Sequence, residues 1–80
     1  MWVIITRDEC DYCSLAKKLL ALEGINYTVA NLQYTPKYQL SLMKMAGLTT
    51  VPQVFKPDGT HVGGYTELKQ MFDEGDQWND

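Results

Sequence analysis

Cys10-Asp11-Tyr12-Cys13 places two thiols three residues apart, and the chain has no other cysteine. Positions i and i+3 share a face of a helix, so the sulfurs can meet if this segment is helical. At a helix N-terminus the unpaired N–H groups and the dipole stabilise a thiolate. A thiolate beside a second thiol is the minimum apparatus for disulfide exchange. The pair has three readings: half a zinc site, a structural staple, or a redox dithiol. A structural zinc site needs four ligands. His61 is the only histidine and no second cysteine pair exists, so carboxylates or a second subunit would have to complete such a site. A staple closing so short a loop removes little chain entropy. In a βαβ context the motif reads as redox, and no metal is expected.

Position assigns the roles. Cys10 falls at the helix start, where its sulfur should be accessible and its pKa lowered, so it is the expected nucleophile. Cys13 lies one turn further in and is the expected resolving thiol. Attack by Cys10 makes a mixed disulfide, and Cys13 then displaces the product. Arg7 adds positive charge nearby, or is a solvated residue at a strand end. Asp11 has two opposed effects. A carboxylate in the first helical turn suits the dipole, but it also opposes a second negative charge on Cys10.

The elements that must hold this pair follow from pattern. Trp2–Thr6 is rich in β-branched and aromatic residues and reads as a buried strand. Asp11 to Glu23 reads as a helix with Leu15, Ala16, Leu19, Leu20 and Leu22 as its apolar stripe and Gly24 just past its end. Ile25 to Leu32 is a second strand, and the order implies a right-handed βαβ unit with a parallel pair. Thr35-Pro36 looks like the start of a second helix that Gly47 ends. Val51 to Phe55 and Thr60 to Val62 read as a hairpin around the turn Lys56-Pro57-Asp58-Gly59. Tyr65-Thr66-Glu67 opens a last helix carrying Leu68, Met71 and Phe72. The order βαβαββα fits an α/β fold, a four-stranded mixed sheet flanked by three helices.

Size and charge narrow the setting. Eighty residues make one small domain, 1–80, with 75–80 expected to be a flexible tail. The net charge is −3 with no basic patch, so nucleic acid is not an expected partner. No apolar run approaches the roughly 20 residues that span a bilayer, so no membrane is expected. The apolar N-terminus meets Arg7-Asp8-Glu9 at once, unlike a signal peptide. A cytoplasmic location is expected, where a permanent disulfide is disfavoured. His61 reads as a surface residue on the hairpin, and the four methionines as core filler.

Taken together, these residues resemble the glutaredoxins, small proteins of thioredoxin-like fold that use glutathione. Cys10-Asp11-Tyr12-Cys13 is similar to the family's Cys-Pro-Tyr-Cys, and Arg7 stands where the family usually has a basic residue. Thr50-Val51-Pro52 looks like the family's Thr-Val-Pro segment, and Gly63-Gly64 with Tyr65-Thr66-Glu67 like its Gly-Gly-x-[Asp/Ser]-Asp segment. The resemblance covers Trp2 to about Phe72. It implies a cis Val51–Pro52 bond against the cysteines, with the Val51 backbone free to pair with the cysteinyl part of glutathione; Pro52 is alternatively a proline at a strand start. It implies that Gly64, Tyr65, Thr66 and Glu67 hold the γ-glutamyl carboxylate at a helix N-terminus. Thr66 is alternatively the cap of that helix. Arg7 and Gln39 match positions that reach the glycine carboxylate, and Tyr12 would flank the tripeptide or is an exposed aromatic in a tight turn. Asp11 departs from the family's proline, and Thr66-Glu67 from its acidic pair.

The implied activity is a dithiol exchange that reduces protein disulfides and protein–glutathione mixed disulfides. Glutathione is the co-substrate and no cofactor is tightly bound. The expected partners are glutathione and disulfide-bearing proteins, ribonucleotide reductase among them, and the expected state is a monomer. Three alternatives stand beside this. One is a redoxin of the same fold recharged by thioredoxin reductase, against which Gly63-Gly64 argues. Another is a dimer holding an iron–sulfur cluster through Cys10 and glutathione. The last is an interaction domain without catalysis.

Overall fold

In the structure, a computed structural model, residues 1–34, 43, 44, 47 and 50–75 are described. Four strands form one sheet in the order β2-β1-β3-β4. They are β1 (Trp2–Thr6), β2 (Tyr27–Asn31), β3 (Gln53–Phe55) and β4 (His61–Gly63). Helix α1 (Asp11–Leu22) joins β1 to β2, and helix α2 (Tyr65–Asp73) follows β4. β1 runs parallel to β2 and antiparallel to β3, and β3 and β4 are antiparallel. The expected mixed sheet is therefore present. Of the expected middle helix, Met43 and Lys44 are helical, and its other residues, Gln39 among them, lie outside the described ones.

Strand β1 positions everything else. Trp2, Ile4 and Thr6 are buried and alternate with half-buried Val3 and Ile5, the period of a pleated strand. Ile4 pairs with Val54 of β3, so both point to the same face. That face meets Ala16 and Leu20 of α1 and Leu68 and Met71 of α2 in one core. The buried line of α1 is Cys13, Ala16 and Leu20, spaced for one helical face. The expected stripe was too wide: Leu15 is 42% and Leu22 76% exposed. The extra leucines are good helix formers that the core does not reach.

Helix α1 stops in a Schellman motif. The N–H of Ile25 donates to Leu20 O at 3.0 Å and that of Gly24 to Ala21 O at 3.0 Å. Gly24 takes φ +73, open to glycine without steric cost. Because the Ile25 amide is spent on this cap, β2 begins at Tyr27, not at Ile25 as expected. It ends at Asn31, whose side chain accepts from Gln33 N at 2.9 Å and turns the chain.

The hairpin departs from expectation in the same way. β3 begins at Gln53 and not at Val51, since Pro52 has no N–H for a ladder. Across the turn, Gly59 N donates to Lys56 O at 2.9 Å and Thr60 N to Asp58 Oδ1 at 2.9 Å. The Thr60 amide holds the Asp58 carboxyl below its usual pKa. With that amide engaged, β4 starts at His61, and Gly63 still pairs with Val54.

Candidate active site

Cys10 is the N-cap of α1, with extended backbone at φ −121° and ψ 106°. Its Sγ accepts the N–H of Cys13 at 3.2 Å, the place where a serine or aspartate oxygen caps other helices. A reduced Cys10 in this position has a backbone donor and the positive helix end beside it, both favouring the thiolate. The two sulfurs form a disulfide with Cα atoms 5.2 Å apart. Cys10 is partly exposed, whereas Cys13 is only 1% exposed and faces the core. One sulfur can thus be approached from outside while the other sits behind it.

The chain that delivers Cys10 is tied to the end of β2. Asp8 accepts from Asn31 Nδ2 at 2.9 Å and from Tyr34 OH at 3.3 Å, and Asp8 N donates to Gln33 Oε1 at 2.7 Å. Glu9 follows with φ +55, unusual for a residue with a side chain. This turn leads directly into Cys10, the N-cap of α1. Sequence reasoning missed it, because a glutamate does not signal left-handed backbone.

Val51–Pro52 is cis. Val51 O lies 4.0 Å from Cys10 Sγ, which brings the segment before β3 against the cysteine pair. Next to this contact is an open cleft of about 150 Å³. Tyr12 of α1 lines it, with Thr50, Val51 and Pro52 before β3 and Gly64, Tyr65, Thr66 and Glu67 at the start of α2. The rings of Tyr12 and Tyr65 lie 6.0 Å apart across its edge. Arg7 does not line this cleft. It borders a separate depression of about 450 Å³ with Asp8, Glu9, Leu32 and Gln33.

The start of α2 is built differently from the threonine cap that the sequence allowed. Gly64 is the N-cap, and Thr66 stands at the second helical position. Glu67 Oε1 accepts the Gly64 N–H at 2.7 Å, the return bond of a capping box. The N–H groups of Tyr65, Thr66 and Glu67 have no carbonyl within the helix to donate to. They form the end of the cleft suited to an anion. The backbone approaches closely at Gly64. A Cβ on Gly64 would stand 3.3 Å from Pro52 O and 3.3 Å from Glu67 Oε1.

The family model for Glutaredoxin matches residues 2–62. The chain belongs to the glutaredoxin family. It is similar to the human protein "Glutaredoxin-2, mitochondrial", 40% identical over 76 residues that cover 91% of this chain and 46% of the relative. It is also similar to Glutaredoxin 3 of Escherichia coli K12, at 35% identity over 72 residues, covering 90% of this chain and 86% of the relative. Among solved structures, a buckwheat glutaredoxin–glutathione complex superposes with a TM-score of 0.79 at 31% identity, covering 92% of this chain and 69% of that one. The chain spans about half the length of the mitochondrial glutaredoxins it matches. The Cys10–Cys13 pair makes it a dithiol glutaredoxin. Among the described residues, no group of histidine, cysteine and acidic side chains could hold a metal ion. Nor is any helix long and apolar enough to cross a membrane.

Proposed function

We propose that this protein is a glutathione-dependent thiol–disulfide oxidoreductase. The observation that carries the reading is the placement of the sulfur of the partly exposed Cys10 4.0 Å from Val51 O, at the edge of a cleft that ends on a helix N-terminus. Glutathione has a cysteinyl backbone for the first feature and a carboxylate for the second. In this reading Tyr12, Thr50, Val51, Pro52, Gly64, Tyr65, Thr66 and Glu67 contact the tripeptide, and Arg7 and Gln39 serve its glycine carboxylate.

The chemistry balances through two routes. With a protein disulfide, the Cys10 thiolate attacks one sulfur and the other leaves as a thiolate. Cys13 then attacks Cys10 Sγ, releasing the reduced protein and closing the Cys10–Cys13 disulfide. Two glutathione molecules reduce that disulfide and leave as glutathione disulfide. With a glutathionylated protein, Cys10 takes the glutathionyl sulfur and a second glutathione removes it, so Cys13 is not required. Disulfide-bearing proteins, ribonucleotide reductase among them, are the proposed substrates. A reducing compartment such as the cytoplasm suits the cycle.

A coupled assay separates this reading from its rivals. Turnover of a glutathionylated peptide is expected with glutathione and glutathione reductase and not with thioredoxin reductase. The opposite dependence would sink the proposal. A coloured dimer containing iron would point instead to cluster binding.

Asp11 tunes the couple. It is exposed in the first turn of α1, beside Cys10. Its charge opposes the thiolate of the reduced state more than the neutral disulfide, so it favours oxidation. Asp11→Asn is expected to raise the reduction potential by roughly 10–20 mV, a solvent-screened charge effect. Equilibration against glutathione redox buffers measures this. An unchanged or more negative potential would contradict it.

A further inference from the structure

The cleft wall at Thr50–Pro52 precedes the sheet ladder, because β3 begins at Gln53 and Pro52 has no N–H to contribute. A buried side chain ties it down instead. Gln53 is only 7% exposed. Its Nε2 donates to Thr50 O at 2.9 Å and to Thr50 Oγ1 at 3.2 Å, and its Oε1 lies 2.7 Å from His61 Nε2.

Chemistry orients this chain of bonds. A carbonyl oxygen only accepts, so the amide nitrogen of Gln53 faces Thr50 and its oxygen faces His61. That oxygen also only accepts, so His61 carries a hydrogen on Nε2. Sheet geometry explains the meeting. Gln53 and Phe55 project to one face of β3, and His61 is the cross-strand partner of Phe55. The Phe55 and His61 rings lie 4.9 Å apart, which steadies the imidazole. His61 is thus an exposed hairpin residue, as the sequence suggested, but one aimed at a buried amide.

We propose that Gln53, braced by His61, is a positioning residue for glutathione. Neither lines the cleft; together they set where Thr50 and Val51 stand relative to Cys10 Sγ. The inference rests on the glutathione-dependent reading above. It assigns to this pair the alignment of the wall that receives the cysteinyl backbone. Losing the tie should weaken binding of the glutathionyl group and leave the sulfur chemistry of Cys10 alone.

The test uses the full chain with a glutathionylated peptide as substrate. Gln53→Met keeps the side-chain length and removes all three bonds. Gln53→Glu can still accept from His61 but cannot donate to Thr50. His61→Leu removes the brace, and His61→Gln restores a donor in place of Nε2. Both glutamine variants are expected to raise KM about five- to tenfold, the effect of one or two hydrogen bonds, with kcat within about twofold. His61→Leu should raise KM about threefold, and His61→Gln should return it towards the parent value. The Thr50 and Val51 amide resonances should shift in Gln53→Met without ligand, while the Cys10–Cys13 reduction potential stays at the parental value. Parental KM in folded Gln53→Met and Gln53→Glu would overturn the proposal. So would a fall in kcat with KM unmoved, or His61→Gln matching His61→Leu. His61 is exposed, so its variants report even if a Gln53 variant fails to fold. A parent with no glutathione-dependent turnover would overturn the functional reading and this inference together. A parent that turns over while all variants match it would overturn this inference alone.

Discussion

Cys10→Ser is expected to abolish exchange with glutathionylated peptides and protein disulfides alike, by a factor on the order of 10³ or more. A serine hydroxyl at the same cap is not ionised near neutral pH, so neither helix dipole nor backbone donor can make it a comparable nucleophile. Cys13→Ser is expected to behave differently. Its side chain is 1% exposed behind Cys10 and has no role in passing a glutathionyl group from Cys10 to glutathione. That variant should keep deglutathionylation within a few-fold of the parent and lose the reduction of protein disulfides. Initial rates on a glutathionylated peptide and on a protein disulfide check both statements. Equal losses in the two variants would contradict the roles assigned to them.

Gly63→Ala is expected to destabilise the fold by about 2–4 kcal/mol, combining backbone strain with steric overlap. Gly63 has φ +124, and an added Cβ would lie 2.9 Å from Glu67 Cβ and 2.8 Å from Glu67 Cγ. Rotating the glutamate can move Cγ but not Cβ, which the helix backbone fixes. Relief would have to come from shifting the first turn of α2, which lines the cleft and carries the Glu67–Gly64 bond. Loss of stability and weaker glutathione binding should therefore appear together. Gly24→Ala is the control. Gly24 has φ +73 with nothing within 4 Å of the added carbon, so only the conformational cost of about 1 kcal/mol applies. Thermal melts of the two variants should differ by roughly 5–15 °C for a domain of this size. Equal melting temperatures would show that contact with Glu67 adds nothing.

Much of the architecture was legible in local pattern. β1 runs from Trp2 to Thr6 as expected, and Gly24 ends α1 where a left-handed cap was expected. These features depend on residues close in sequence: a β-branched run, an apolar helical face, a glycine at a stop. Boundaries were less legible wherever one amide had two possible partners. Ile25 went to the helix cap and not to β2. Thr60 went to Asp58 and not to β4. Local propensity does not say which partner wins, because the competing bonds are of similar strength.

The site divides along the same line. The dithiol, its order and the glycine pair before the last helix were readable from spacing and residue type. Thr66 was an equally plausible cap in sequence, yet Gly64 took that place because Glu67 reaches back to its amide. The tie from His61 through Gln53 to Thr50 left no trace in the sequence. It joins residues from β4, β3 and the segment before β3, and only strand pairing makes them neighbours.

By itself, then, the amino-acid order determined which chemistry is available: two thiols one helical turn apart, with a stretch ready to cap them. The tertiary structure alone decided how far each sulfur is from solvent, which wall faces Cys10, and what holds that wall still. The reason is physical. Reactivity begins in the atoms of one short segment, whereas burial and alignment are set by groups that meet only once the sheet has formed.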